Sequence, residues 1–307
     1  YPMTTYTVLG ANGNIAQEVS KSLSSPDSLI KQFSRSPKKV NETDVLISGN
    51  LLDAEEVSTA VAGSEVVFLL AGIQYDKKIW KRDWPIIMRN TLAACVAHRA
   101  KLVFFDNMYA FDPTEVGHLT EESKMAPLSE KGKVRKQILD MLWKEVQAGN
   151  LTALVARAAD FYGPGASNSF LNELVIDRMK AGKSPQWLYS GAKKHSFTYI
   201  PDAGKATALL AQQEGSWNQS WHLPTSSAYP TGQEIIAILN QKLEKNSKLQ
   251  VLPAFAVSFL GLFIAPLREI KELRYQTDSD YCFDSSKIEK AYGLKATPIE
   301  IGLEACL

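Results

Sequence analysis

Two glycines near the start of the chain, Gly10 and Gly13, have the spacing of a turn that binds phosphate groups. A β-rich run ends at Leu9 just before them, and apolar residues recur at helical spacing from Ile15 onward. Glycine lets backbone N–H groups approach a pyrophosphate closely, and the positive N-terminus of the following helix attracts the anion. The order of strand, glycine turn and helix therefore predicts dinucleotide binding, with Ala16 in place of a third glycine. A tight turn without a ligand is the alternative interpretation.

A basic turn follows the next predicted strand, at residues 34–39. Sites that select NAD place an acidic residue about 20 positions after the glycines, where it binds the ribose 2′-hydroxyl. This chain has no acidic residue between Lys31 and Val40, and Arg35 stands at that place beside Ser34. Because a guanidinium matches a 2′-phosphate in charge and in hydrogen-bond geometry, we predict NADP as the cofactor in preference to NAD. A solvated basic turn is the alternative.

Predicted strands and helices alternate through the first half of the chain. Strands are predicted at 29–33, 45–47, 66–70, 102–105 and 151–155, and helices at 54–61, with Asp53 as N-cap, 79–98 and 129–148. Such alternation predicts a Rossmann-like, doubly wound parallel sheet of the α/β class, which binds ligands at the carboxyl ends of its strands. The residues predicted at those ends are Gly10, Arg35, Ala71 with Gly72, Asp106 and Arg157.

The amino-acid composition limits the domain number, the ligand classes and the compartment that are expected for this chain. The chain has 307 residues, of which 45% are apolar and 22% charged, and this suits one large or two medium domains. A net charge of +1 argues against nucleic acid as a partner. Three widely spaced cysteines and four scattered histidines give neither a disulfide framework nor metal-ligand spacing, so no metal site is predicted. The first residues show no charged-then-apolar signal pattern, and a reducing cytoplasm is the expected compartment.

The most apolar stretch of the chain is residues 251–267, VLPAFAVSFLGLFIAPL. It is just shorter than a membrane-spanning helix, and Pro253, Gly261 and Pro266 interrupt it. Proline suits the first turn of a helix and the region beyond its end. We therefore predict a buried helix, or one lining an apolar pocket, and no membrane partner. Membrane attachment through this stretch is the alternative.

Five motifs, in order, resemble those of the extended short-chain dehydrogenase/reductases, the nucleotide-sugar epimerase/dehydratase group. They are GANGNIA at 10–16, NTLAAC at 90–95, RAADFYGPG at 157–165, FTYIPDA at 197–203 and FDSSKIEK to YGLKATP at 283–298. The resemblance covers essentially the whole chain. It implies a Rossmann domain at 3–160 and a smaller α+β substrate domain at 161–307, with elements near 190–212 returning to the first. It also implies a homodimer that forms through helices near 80–99 and 130–148.

The chain departs from that family at its catalytic pair. The family uses a tyrosine and, four residues later, a lysine that lowers the pKa of the tyrosine, whereas this chain has Lys131 and Arg135 at those places. An exposed lysine ammonium has a pKa of about 10 and needs strong burial to act as a base. Arginine stays cationic and is restricted to holding a ribose or phosphate. A solvated basic helix start is the alternative interpretation of this segment.

The loop after the fifth predicted strand offers another phenol. The family places a serine or threonine in this loop, but residues 106–111 contain neither. As a hypothesis, Tyr109 supplies the proton, and Lys131 or Arg135 favours its phenolate form; packing of Tyr109 in a pocket wall is the alternative. The segment also resembles that of an atypical sub-group of the family with the patterns Asp-Asn-x-Tyr and Lys-Gly-x-x-Arg.

The remaining site residues follow from the turn and from the resemblance. The predicted cofactor residues are Gly10, Asn12, Gly13, Asn14, Ile15, Ser34, Arg35, Leu52, Ala71, Gly72, Asn107, Arg135 and Tyr162. The predicted substrate residues are Asn90, Tyr162 and His195. The alternatives are a wall position for Tyr162 and a surface or satisfied core position for His195.

These features together predict an NADP-dependent oxidoreductase or epimerase-like enzyme. Its substrate is expected to be a small carbonyl, an alcohol or a nucleotide sugar. The altered catalytic pair keeps a second hypothesis open, in which the chain is a catalytically silent NADP-binding sensor or interaction protein of the same fold.

Overall fold

The structure is a computed structural model that describes residues 2–307. These residues form two compact units, each of which draws on separate stretches of the chain. The first unit contains the residues up to Asp106, Lys133–Arg157 and Ala203–Trp221. The second unit contains Asn107–Gly132, Ala158–Asp202 and His222–Leu307.

The strands are short, and the longest has seven residues. In chain order they are β1 Thr4–Leu9, β2 Ser28–Ser34, β3 Val45–Ser48, β4 Val66–Leu69, β5 Lys101–Asp106, β6 Ala153–Arg157, β7 Asp160–Tyr162, β8 Gln186–Leu188, β9 Phe197–Tyr199, β10 Ser220–His222 and β11 Gln250–Leu252.

The helices include two long ones, α3 and α4, and several of about two turns. In chain order they are α1 Asn14–Leu23, α2 Ala54–Val61, α3 Lys77–His98, α4 Glu130–Gln147, α5 Asp177–Lys180, α6 Ile200–Leu210, α7 Gly232–Leu243, α8 Ala254–Leu260, α9 Ala265–Ile270, α10 Tyr275–Asp278, α11 Ser286–Tyr292 and α12 Ile299–Glu304. A π-helical turn, Asn172–Ile176, leads into α5.

Seven strands form the sheet of the first unit, in the order β10-β6-β5-β4-β1-β2-β3. Strands β1 to β6 pair in parallel, and β10 extends the sheet beside β6. The central strand β4 is a continuous apolar run whose residues are all buried, as expected for a parallel strand that is covered on both faces. The predicted α/β fold with a parallel sheet is confirmed.

Capping residues next to the helices define where the helices begin and end. The Asp53 carboxylate accepts hydrogen bonds from the backbone N–H groups of Glu55 and Glu56, so α2 begins where its N-cap was predicted. Asp76 caps α3 in the same way, and Arg99 ends that helix in the left-handed conformation. The helix α3 continues through Pro85.

The boundaries of the two units differ from the predicted domains. Residues 107–132 were predicted in the first domain, but they belong to the second unit. The returning segment is Ala203–Trp221, whereas the resemblance implied residues near 190–212. Residues 190–202 stay in the second unit because β9 pairs with β7, which belongs to it.

The second unit has its own apolar core and two small parallel sheets, β7 with β9 and β8 with β11. Its largest cluster of buried apolar residues is Tyr162, Leu171, Val175, Ile176, Met179, Trp187, Phe197, Ile235, Ile236, Leu239, Ile299, Leu303 and Cys306. A second cluster surrounds Met108, Phe111 and Phe283, and Tyr109 packs against it.

The prediction of a buried helix over residues 251–267 is wrong. The stretch forms β11, α8 and α9, and many of its large apolar side chains are exposed, among them Phe255 and Phe263. Gly261 and Pro266 divide it into helices of seven and six residues, and the only residue of α8 that is buried is Val257. Within residues 2–307, no helix combines the length and the apolar character that crossing a membrane requires.

Candidate active site

The β1–α1 turn has the geometry that the glycine pattern predicted. The backbone N–H groups of Gly10 and Ala11 both donate to the Phe33 carbonyl at 3.0 Å, which holds the turn against the end of β2. Gly13 is the N-cap of α1 and is exposed. A Cβ added at Gly13 would have no atom within 4 Å, so the space above this backbone is open.

Gly10 brings the ends of β1 and β4 together. Its φ of +90° is in the region that favours glycine, and a Cβ at this position would overlap the backbone of Ala71. Ala71 and Gly72 follow the end of β4, and the space beside Gly72 is open within 4 Å. The structure therefore places two of the predicted cofactor-binding stretches next to each other.

Asn12 joins the glycine turn to the basic turn. Its side-chain amide donates to the Lys38 carbonyl at 2.9 Å, and its Oδ1 accepts from the Lys38 N–H at 2.8 Å. Ser34 ends β2, and the Arg35 carbonyl accepts a hydrogen bond from Ser48 at 2.8 Å. The Arg35 side chain is exposed and makes no ion pair within residues 2–307, so its guanidinium is available to a ligand.

Asn90, which was predicted to contact substrate, has a positioning role in the first unit. It is buried on α3, and its side-chain N–H donates to the Leu51 carbonyl at 3.0 Å. This bond fixes the loop that carries the predicted cofactor residue Leu52, whose side chain is exposed. The Asn90 amide therefore positions the loop backbone, and a substrate contact by this residue stays a prediction.

A buried ion cluster lies where β5 and β6 end. Asp106 Oδ1 is 2.9 Å from an Arg135 Nη atom and 3.0 Å from Arg135 Nε, and Asp106 Oδ2 is 3.1 Å from Arg157 Nε. Arg135 also donates to the Phe105 carbonyl at 3.0 Å, and its guanidinium lies 4.7 Å from the Trp84 ring centre. The Arg135 guanidinium is thus buried in this cluster, and the role of holding the cofactor ribose or phosphate stays a prediction.

Tyr109 lies in a loop with a defined backbone. The Asn107 Oδ1 accepts the Tyr109 N–H at 2.9 Å, and Phe111 N–H donates to the Met108 carbonyl at 3.2 Å. The Tyr109 side chain is half-buried and packs against the cluster around Met108. A half-buried phenol is compatible with proton transfer to a ligand and also with a wall position.

Lys131 is fully buried in an ion cluster of the second unit. Its Nζ is 2.7 Å from Glu269 Oε2, 3.2 Å from Glu272 Oε1 and 3.1 Å from the Glu269 carbonyl. Glu272 also accepts the N–H groups of Glu130 and Lys131 at 2.8 and 3.2 Å, so it caps the start of α4. The Lys131 ammonium is paired with two carboxylates and is buried, so the alternative of a solvated helix start is wrong for this residue. Its role in favouring the Tyr109 phenolate stays a prediction.

Tyr162 is a core residue of the second unit. Its hydroxyl contacts Gly302, where a Cβ would overlap it, and its ring packs against Phe197 and Tyr199 at centre distances of 6.3 and 5.3 Å. Burial raises the pKa of the Tyr162 phenol well above its usual value, and Asp202 adds to the shift. Tyr162 therefore has a packed position in the core, and its cofactor and substrate contacts stay predictions.

His195 also lies in the core and has a partner. Its Nε2 is 2.6 Å from Asp160 Oδ2, and its ring lies 4.7 Å from the Phe197 ring and 4.9 Å from the Tyr281 ring. The imidazole is buried, and Asp160 carries the exposed part of the pair. His195 thus has the position of a satisfied core histidine, and a substrate contact by this residue stays a prediction.

The three thiols are unsuited to nucleophilic chemistry. Burial raises the pKa of Cys95 to about 12 and that of Cys306 to about 11, and it also raises the pKa of Cys282. Since the thiolate is the reactive form, none of these residues is an activated nucleophile at neutral pH.

The sequence matches the model of one protein family, the NAD dependent epimerase/dehydratase family, over residues 6–235. The chain belongs to this family. No curated protein matches the sequence significantly.

Solved structures of nucleotide-sugar epimerases share the fold of this family member. A UDP-glucuronic acid 4-epimerase from Bacillus cereus in complex with NAD is 16% identical, with 98% of this chain and 97% of that chain covered and a TM-score of 0.77. A UDP-glucose 4-epimerase from Thermotoga maritima with UDP-glucose is 18% identical, with 99% and 97% covered and a TM-score of 0.77. A UDP-N-acetylglucosamine 4-epimerase from Methanobrevibacter ruminantium in complex with UDP-N-acetylmuramic acid is 16% identical, with 99% and 97% covered and a TM-score of 0.78.

Sequence reasoning missed two residues of this epimerase/dehydratase family member that pair with Lys131. Glu269 and Glu272 are 138 and 141 positions from Lys131, so nothing in the KGKVRK segment points to them. The available signal was their spacing of three residues on a helical pattern, directly after an apolar stretch without acids.

Proposed function

We propose that the chain is an NADP-dependent oxidoreductase or epimerase-like enzyme that acts on a small carbonyl, an alcohol or a nucleotide sugar. The observation that carries the proposal is the open backbone at Gly13 in a turn that Gly10 holds against Ala71. This turn suits a diphosphate, and its N–H groups from Gly13 to Ile15 are those at the start of α1. Membership of the NAD dependent epimerase/dehydratase family supports the same function.

The residues present fit an adenine dinucleotide. The turn from Gly10 to Ile15 would bind the diphosphate, and Ser34 with Arg35 would bind a 2′-phosphate. Asn12 keeps these two stretches together through Lys38. The nicotinamide ring, when bound, supplies hydride exchange with the substrate carbon. NAD is the alternative cofactor, and one structural neighbour carries NAD in its complex.

Tyr109 is our proposed proton-transfer residue. It follows Asp106, the last residue of β5, by three positions, and parallel sheets of this type bind ligands at the carboxyl ends of their strands. The Asn107 side chain holds the Tyr109 backbone in a defined turn. The phenol would donate or accept the proton of the substrate hydroxyl as the hydride moves.

The Tyr109 role predicts a specific kinetic defect. We expect Tyr109→Phe to lower kcat by about 10²–10⁴-fold, the usual range for loss of a general acid–base group, with little change in the Kd for NADPH. Steady-state kinetics and calorimetry measure these two quantities. The control is Tyr189→Phe, which removes a half-buried phenol beside Arg274 and is expected to leave kcat unchanged. Equal kcat values for wild type and Tyr109→Phe would refute the role.

Cofactor selection is tested at Arg35. We expect Arg35→Ser to weaken NADPH binding by about 10- to 100-fold, since hydrogen bonds to charged groups contribute about 1.5–3 kcal/mol, while NADH binding changes little. Calorimetric titration of both nucleotides measures the preference. Lys21→Ser on α1 is the matched control, because it removes an exposed positive charge that pairs with Glu18. Equal affinity of the wild type for NADPH and NADH would contradict the proposed preference.

A second candidate function is a catalytically silent NADP-binding sensor or interaction protein. The observation in its favour is that Lys131 and Arg135, which replace the catalytic pair of the family, are both buried in ion clusters. The two functions are separated by supplying NADPH with a panel of aldehydes and ketones, and by incubating the protein with UDP-sugars. Binding of NADPH without turnover in either assay would support the silent protein.

We also propose a homodimer through α3 and α4, as the family resemblance implies. Gel filtration with light scattering measures the oligomeric state of the chain.

A further inference from the structure

Five large apolar side chains are exposed within ten residues of the second unit. The exposed fractions are 77% for Phe255, 62% for Phe259, 69% for Leu262, 75% for Phe263 and 44% for Ile264. We refer to these five residues as the apolar tip. Single exposed apolar residues are common on proteins, but a contiguous group marks an interaction surface.

Three residues of the apolar tip, Leu262, Phe263 and Ile264, lie in an ordered turn between α8 and α9, and the other two lie on α8. Phe263 N–H and Ile264 N–H donate to the Leu260 carbonyl at 3.0 and 2.8 Å, and Leu262 N–H donates to the Phe259 carbonyl at 3.2 Å. The rings of Phe259 and Phe263 meet edge to face at a centre distance of 5.7 Å. These backbone N–H groups are satisfied within the turn, so the tip can leave water without exposing them to an apolar medium.

The two helices are joined by the turn that carries Leu262, Phe263 and Ile264, and we refer to the two helices and this turn as the hairpin. A Cβ at Gly261 would lie 3.2 Å from the Arg268 Cα and 3.0 Å from the Val257 carbonyl, so α8 and α9 are in close contact at this glycine. Val257 is buried, while Phe255 and Phe259 share one face of α8 at a spacing of four residues. Lys131 pairs with Glu269 and Glu272 and thereby anchors the base of the hairpin.

The charges beside the apolar tip are positive. Lys248, Arg268 and Lys271 are exposed and have no acidic partner within residues 2–307. No Asp or Glu occurs between Glu244 and Glu269, and Glu269 and Glu272 are paired with Lys131. A partner that covers this surface must therefore offer an apolar layer beside negative charge.

We propose that the apolar tip inserts into the surface of a bilayer that contains anionic lipid, with Arg268 and Lys271 at the level of the headgroups. A bilayer provides acyl chains below a negatively charged plane, which matches the order of apolar and basic residues on the hairpin. The hairpin lies on the membrane and does not cross it. This attachment is independent of the proposed dinucleotide site and places the enzyme at a membrane surface.

Vesicle co-sedimentation of the full chain tests the proposal. We expect the protein to sediment with vesicles of phosphatidylcholine and phosphatidylglycerol, and far less with vesicles of phosphatidylcholine alone. The double variant Phe255→Ser/Phe263→Ser and the double variant Arg268→Glu/Lys271→Glu are each expected to weaken binding by about tenfold or more. The wild type is also expected to lose affinity as salt rises, and the charge variant to lose most of this salt dependence.

The control variant is Val45→Ser/Leu46→Ser, which removes two exposed apolar residues from β3, in the other unit. It is expected to bind anionic vesicles as the wild type does. Equal sedimentation of wild type and Phe255→Ser/Phe263→Ser would overturn the proposal, as would failure of the wild type to bind anionic vesicles. A third outcome is that the wild type binds no vesicles and is a dimer, and that Phe255→Ser/Phe263→Ser converts this dimer to a monomer. In that case a second copy of the chain covers the apolar tip, and the proposal is wrong.

Discussion

Replacement of Asp106 with asparagine is expected to lower the free energy of unfolding by about 3–5 kcal/mol, the cost of leaving a buried charge without its partner. Asp106 is the one carboxylate shared by Arg135 and Arg157, and all three side chains are almost completely buried. Asparagine keeps the shape of the side chain but removes the negative charge. Two guanidinium groups would then repel each other in a region from which water is excluded.

Urea unfolding followed by tryptophan fluorescence measures this change. The matched control is Asp140→Asn on α4, which breaks an exposed pair with Lys136 at 2.7 Å. Exposed pairs of this spacing contribute only about 0.3–0.5 kcal/mol. A loss below about 1 kcal/mol for Asp106→Asn would mean that the cluster adds little to the stability of the first unit.

Replacement of Lys131 with methionine is expected to lower the free energy of unfolding by a similar amount, about 3–5 kcal/mol. In this case the buried charge that loses its partner is negative. Methionine fills much of the volume of the lysine stem, but it leaves Glu269 and Glu272 without a cation. Glu272 would still accept the backbone N–H groups at the start of α4. The stability loss should therefore come mainly from Glu269, which is the more deeply buried of the two carboxylates.

The same variant separates a structural from a catalytic role for Lys131. Addition of Glu269→Gln to Lys131→Met is expected to restore part of the stability, since the orphaned negative charge is removed. Lys136→Met is the control, because it removes a lysine from an exposed pair on the same helix. If Lys131→Met unfolds at the wild-type urea concentration but loses turnover, Lys131 acts on the substrate and its ion cluster is not its main role.

Local patterns predicted the parts of the molecule that depend on neighbouring residues. The β1–α1 turn, the N-cap at Asp53 and the buried strand β4 each follow from a few consecutive side chains. The strand ends were predicted closely enough to place Arg35 and Ala71 at the carboxyl edge of the sheet.

Features that depend on distant residues could not be predicted in this way. The partners of Lys131 are more than 130 positions away, and the residues around His195 come from separate elements, such as Tyr281 before α11. The prediction for residues 251–267 rested on their apolar composition. Composition does not reveal that the stretch forms two short helices in contact at Gly261, or that α8 buries only the face with Val257. Its apolar side chains consequently face outward.

The ion cluster of Lys131 also limits which side chains residue 131 can accept, including the tyrosine that the family resemblance implies there. A phenol at residue 131 would meet the carboxylates of Glu269 and Glu272, neither of which it can neutralise. A tyrosine introduced at residue 131 is therefore expected to be tolerated only together with changes at Glu269 and Glu272. An assay of a tyrosine at this position has to be made in such a triple variant.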